Sequence, residues 1–197
     1  MRRLTCLIVL VTAVVSTSVG QGRQDLAEVG LSIDYAGTWE QMTLLSGPEG
    51  TKPGEPEFSA GFAFLVDADI SDSTRYSHNV VQIARHDVYS DSMRATWLDG
   101  RDLRTGDTGK VEISWTPTDI ALDLPFSEYR VFRFLENRGD EYQQRSAGYV
   151  VFAIEGKSLY RVVVSGIERT FDADPEPYKA LLNSLVLTQQ EGEDVRG

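Results

Sequence analysis

Three aspartates, Asp67, Asp69 and Asp72, crowd the stretch "DADISD" at the end of an apolar run. Carboxylates gathered at a strand end have the chemistry of a hard-cation site, because calcium takes its ligands as oxygens from such loops. The spacing misses the EF-hand pattern: Asp72 stands where the turn glycine belongs, and His78 where the closing glutamate belongs. These three residues are the metal candidates of the chain, set against a solvated acidic loop. The histidines are His78 and His86. On one straight strand, eight steps would separate them by roughly 26 Å, too far to share a metal. Asp87 follows His86 in sequence, but adjacency does not orient an imidazole. No G-x-S-x-G, H-E-x-x-H or Walker A motif is present, and "GPEGTKPG" lacks the closing Gly-Lys-Ser/Thr. Pairs of carboxylates suited to glycoside hydrolysis can be drawn at many spacings among 30 acidic residues, so none is singled out. Neither a catalytic residue nor a cofactor is expected.

The N-terminus sets the compartment. "MRRLTCLIVLVTAVVSTSVG" has Arg2 and Arg3, an uncharged apolar run from Leu4 to Val15, and small residues at Ser18 and Gly20. That is the layout of a secretory signal peptide cleaved after Gly20. The run is shorter than the roughly 20 apolar residues a spanning helix needs, so no stable membrane anchor is expected after cleavage. Cys6 is the chain's one cysteine, and it comes too early to be lipidated at the cleavage point. The processed chain therefore has no disulfide, thiol nucleophile or Cys-based metal site. A secreted or periplasmic bacterial protein is the expected setting.

Loss of two arginines moves the net charge from −11 to −13. Such a surface repels nucleic acid and anionic lipid, and it favours cations or a basic protein partner.

Along the chain, residues 21–28 are polar and expected to be loose. Leu31, Ile33 and Tyr35 alternate with polar residues as a strand with one buried face, and Gly37 turns the chain before Trp39. "SGPEGTKPGEPE" at 46–57 is a loop. Strands are expected at 61–68, 79–84, 110–115, 119–124, 129–136, 148–155 and 158–167, with a short helix after Ser90 ending at Gly100. Gly156-Lys157 joins the last two strands as a tight hairpin. Val131 and Leu135 face away from Phe132 and Phe134, so that strand is apolar on both sides and its sheet must be covered twice. Asp174 and Pro175 open a final helix whose Tyr178, Leu181, Leu182 and Leu185 form one apolar stripe. "SLVLT" then reverts to strand-like residues, and 189–197 form a disordered acidic tail.

Taken in order, "DYAGTW" near the start and "SLYRVVVSG" with "YKALLNSLVL" near the end resemble the PsbP-like family, which shares its fold with the Mog-type Ran-binding proteins. Tyr35, Gly37 and Trp39 match the first motif, with Ala36 where proline is common. Tyr160, Arg161, Tyr178, Leu182, Ser184 and Leu185 match the second. The resemblance covers residues 29–188 and implies one α+β domain, an α/β/α sandwich around a central antiparallel sheet, opened by the Leu31 strand. It implies a non-enzymatic binding or accessory module. The photosystem members commonly dock through basic residues, whereas this chain is acidic. The competing readings are a hydrolase with an unrecognised carboxylate site and a carrier of a small apolar ligand beneath the 46–57 loop.

Overall fold

A computed structural model describes residues 16–19, 22–35, 38–46, 59–66, 79–87, 91–100, 112–137 and 145–188. The Asp67–Asp72 cluster, His78, the 46–57 loop tip and the 189–197 tail lie outside the described residues.

An eight-stranded antiparallel sheet carries the fold. Its strands are β1 (Ser16–Val19), β4 (Thr38–Ser46), β5 (Ser59–Val66), β6 (Asn79–Asp87), β7 (Glu112–Pro117), β8 (Glu128–Asn137), β9 (Arg145–Glu155) and β10 (Ser158–Ile167), in the spatial order β1-β4-β5-β6-β10-β9-β8-β7. A second sheet has the order β11-β3-β2, made of β2 (Gly22–Leu26), β3 (Leu31–Tyr35) and β11 (Val186–Leu187). Three helices complete the described residues: α1 (Asp91–Trp97), α2 (Glu168–Ala173) and α3 (Glu176–Asn183).

The centre of the main sheet is apolar on both faces, as its sequence demands. Val131, Tyr149, Val151, Ala153, Val162 and Val164 point to one side, where Leu26, Leu31, Ile33, Phe171 of α2 and Tyr178 and Leu182 of α3 cover them. Phe132, Phe134, Val150, Phe152, Ile154 and Leu159 point to the other, under Trp97 of α1. Successive residues of a strand alternate faces, so β8, β9 and β10 feed two cores at once. The molecule is therefore an α+β sandwich around a central antiparallel sheet. Phe152 is fully buried, and burying such a ring contributes about 2–3 kcal/mol. Gly148 of β9 is required by packing: an added Cβ would collide with the Val164 carbonyl oxygen and meet the Phe134 ring at 2.7 Å.

Several local expectations need correction. The segment 21–28, read as loose, contains β2; its polar residues face outward, while Leu26 and then Val29 seal the core. The Leu31 strand does not open the main sheet. It is the middle strand of the small one, flanked by β2 and β11. Residues 119–124, read as a strand, have no ladder partner. They belong to an extended strap, 118–127, whose Leu124 and Phe126 are buried while Ile120 and Leu122 pack at the core's margin. Burial alone accounts for their alternation. The helix at the C-terminal end is preceded by α2, which the sequence reading lacks, and α3 starts one residue after Pro175, with the Asp174 Oδ1 accepting a hydrogen bond from the Glu176 N–H at 3.2 Å.

The 156–157 hairpin is as expected, with Gly156 at φ 56°. Gly100, at φ 65°, closes the turn after α1. Among the described residues no helix is long and apolar enough to cross a membrane.

Candidate functional site

The residue types that could do chemistry gather at the C-terminal end of β6. β6 runs three residues beyond the expected strand, to Asp87. Its inward face continues Val81, Ile83, Arg85, Asp87, so period two carries two charged side chains into the core. The register of β6 on β10 sets Arg85 opposite Tyr160 and Asp87 opposite Ser158. All four side chains are buried, Arg85 at 6% and Asp87 at 5% exposure.

The cluster is tied together by charge-assisted bonds. Arg85 Nε donates to Asp87 Oδ1 at 3.0 Å, and Ser158 Oγ donates to the same oxygen at 2.7 Å. The Tyr160 hydroxyl makes a side-chain hydrogen bond with Ser158. Burial raises the Tyr160 hydroxyl above its ordinary 10.0; the Arg85 charge and the Ser158 bond offset part of that rise, while Asp87 and Glu155 add to it. Phe126 from the strap lies against the Tyr160 ring, with centroids 5.1 Å apart.

The roof is the turn between β2 and β3. Gly30 sits there at φ +67°, and a Cβ on it would lie 3.3 Å from Arg85 Nη1 and 3.9 Å from the Tyr160 hydroxyl. The left-handed backbone favours glycine here, and the turn lies close over the Arg85 guanidinium. The turn is pinned by Gly30 N–H bonds to Leu26 and Ala27, and the Gly30 carbonyl accepts from Thr188 N at 3.0 Å.

A serine hydroxyl bonded to a carboxylate looks like part of a nucleophile site, but the third partner is on the wrong face. His86 is the residue between Arg85 and Asp87, so its ring projects to the opposite side. There it meets Trp97 edge-on at 5.6 Å. Trp97 in turn donates from Nε1 to the Tyr160 carbonyl at 3.0 Å. The imidazole is thus separated from Ser158 by the thickness of the sheet. Arg85, not a general base, neutralises Asp87.

Of the expected site residues, Asp67, Asp69, Asp72 and His78 lie outside the described residues. Among the described residues no group of three or more His, Cys, Asp or Glu side chains is placed to hold a metal ion. The strand expected at 79–84 ends before Arg85, His86 and Asp87, which the structure includes in β6. The signal that could have extended it was the unbroken alternation from Val81.

The fold thus defines an α+β protein with an antiparallel sheet and a closed polar brace in its core. No protein-family model matches the chain, and no curated protein is similar to it. Among solved structures, it is similar to the solution structure of cyanobacterial PsbP (CyanoP) from Synechocystis sp. PCC 6803, with a TM-score of 0.47 and 13% identity over 93% of this chain and 97% of that one.

Proposed function

We infer that the protein is a non-enzymatic binding or accessory module working in the cell envelope or the secreted space. The observation that carries this reading is the closure of the Arg85–Asp87–Ser158–Tyr160 cluster. A nucleophile must be reachable by substrate, and Ser158 is 7% exposed, with its hydroxyl donating to Asp87. The cluster ties β6 to β10 and seats the β2–β3 turn, which is structural work. Function then belongs to the surface. The signal-like N-terminus supports a location outside the cytoplasm, and a net charge of −13 after cleavage favours a partner with a basic face.

The test has two arms, both on the processed protein. Mild crosslinking in native envelope extract, followed by mass spectrometry, is expected to capture one stoichiometric partner, with capture reduced at high salt as exposed charges are screened. Turnover of ester, phosphate or glycoside substrates well above background, lost in a folded Ser158→Ala variant, would overturn the reading.

A further inference from the structure

The two edges of the main sheet differ in kind. β7, at one edge, has six residues, opens with Glu112 and closes with Pro117. A short strand, a charge and a missing N–H are common ways of blunting an edge. At the other edge, β1 covers β4 antiparallel, pairing Ser16 with Gln41, Thr17 with Glu40, Ser18 with Trp39 and Val19 with Thr38. β4 itself is nine residues long, "TWEQMTLLS", with one charge and no proline. It has neither β7's shortness nor its proline, and β1 is what shields it.

β1 lies ahead of Gly20, so removal of residues 1–20 takes the shield away. We propose that the bared β4 edge pairs with β4 of a second copy, antiparallel across a two-fold axis at Met42, joining two sheets into one. This rests on the cleavage reading within the proposed function.

Three observations favour a second copy as the occupant. The edge already accepts an antiparallel strand, the direction that a two-fold axis perpendicular to the sheet generates when one strand meets its own copy. Hydrogen-bonding parity alternates along an antiparallel strand, so a strand pairs with its own copy only about a residue, never about a bond. The residue that overlaps the whole strand is Met42, which gives Thr38↔Ser46, Trp39↔Leu45, Glu40↔Leu44, Gln41↔Thr43 and Met42↔Met42. In that register the single charge, Glu40, faces Leu44 and not another acid, so no like charges stand directly opposite. Net repulsion between two acidic copies makes this association strengthen with salt, whereas capture of a basic partner weakens.

The processed chain, 21–197, is measured by sedimentation beside a chain that keeps residues 16–20. The first is expected at twice the monomer mass and the second as a monomer. Cys6 lies in the removed segment, so the processed chain is free of cysteine and a single introduced thiol reports one position. Met42→Cys is expected to form a disulfide-linked dimer under mild oxidation, because self-paired residues fall within disulfide reach in either type of antiparallel pair. Glu40→Cys, facing Leu44, is expected to give none. Met42→Lys should weaken the dimer about fivefold by setting like charges opposite.

A monomeric 21–197 chain, or a dimer that Met42→Cys does not crosslink, overturns the proposal. Hydrogen exchange on the unsubstituted chain covers misfolding of the variants: amides of 38–46 slow with protein concentration if the pairing forms, and concentration-independent exchange overturns it. Mass analysis of the exported protein separates the two readings. A chain that retains residues 16–19 refutes cleavage, while the 21–197 chain still decides whether β4 edges pair.

Discussion

The two faces of the main sheet are made by the same strands, from residues one position apart, and they solve burial differently. Under α1 the packing is apolar and aromatic: Phe152 meets Trp97 and Phe132 edge-to-face, with centroids 5.3 and 5.9 Å apart. Under α2, α3 and the small sheet, the same depth holds an aromatic run, Tyr149–Phe171–Tyr178, and also the Arg85–Asp87 pair. The difference lies in the cover. The second face is roofed by backbone as well as side chains, and the Gly30 turn lets the chain come close enough to exclude water from a guanidinium. A buried ion pair gains little net stability, since both ions lose their hydration. What it can supply is register, because slipping β6 by one residue on β10 would place two charges among Trp97 and Phe152.

Substitutions on each face test that contrast. Phe152→Ala should cost about 4 kcal/mol in chemical denaturation, the cost of an emptied aromatic site in a tight core. A cost under about 1 kcal/mol would mean that α1 collapses into the space and that this face is loosely held. Asp87→Ala should cost about 3 kcal/mol, because it removes the buried carboxylate to which Arg85 Nε donates. The double replacement Arg85→Met with Asp87→Leu sharpens the comparison. It is expected to recover most of that loss, and a double variant as unstable as the sum of the singles would show that the two side chains act independently and not as a pair.

The alkaline limb of stability separates the faces further. Burial raises the Tyr160 hydroxyl, and burial with Asp174 raises that of Tyr178. The folded state then holds these protons more tightly than the unfolded chain does. Their contribution is complete below the ordinary 10.0 and is lost as pH rises through the folded values. Tyr160→Phe should flatten that decline in a pH series of urea midpoints, and Phe152→Ala should leave its shape unchanged. The smallest effect is expected at the surface. Arg23→Ala breaks an exposed pair with Asp34 at 2.9 Å and should cost about 0.5 kcal/mol or less, an effect that salt reduces.

The legible parts of the fold were those in which burial alone decides the pattern. β8, β9 and β10 read correctly because apolar residues on both alternating faces leave few other solutions, and α3 read correctly because Tyr178, Leu182 and Leu185 make one stripe, all buried. α2 escaped because six residues are less than two helical turns, too few for a period to show. β2 escaped because "GRQDL" buries Leu26 and little else. The strap at 118–127 was misread because a chain laid across a core alternates like a strand without being one. The polar brace escaped for the opposite reason. Its pattern was correct, but charged residues at inward positions argue against burial until their partners are known.

Those partners show where sequence stops. The antiparallel hairpin of β9 and β10 and the two-sided sheet follow from local pattern, because turn geometry and residue type act over a few positions. That Asp87 meets Ser158, 71 residues away, and that β11 closes a sheet opened by β2, are long-range choices. Many registers satisfy the same alternation. The tertiary structure selects the one in which Arg85, Asp87, Ser158 and Gly30 all fit together, since an unpaired charge in any other would cost more than the strand gains.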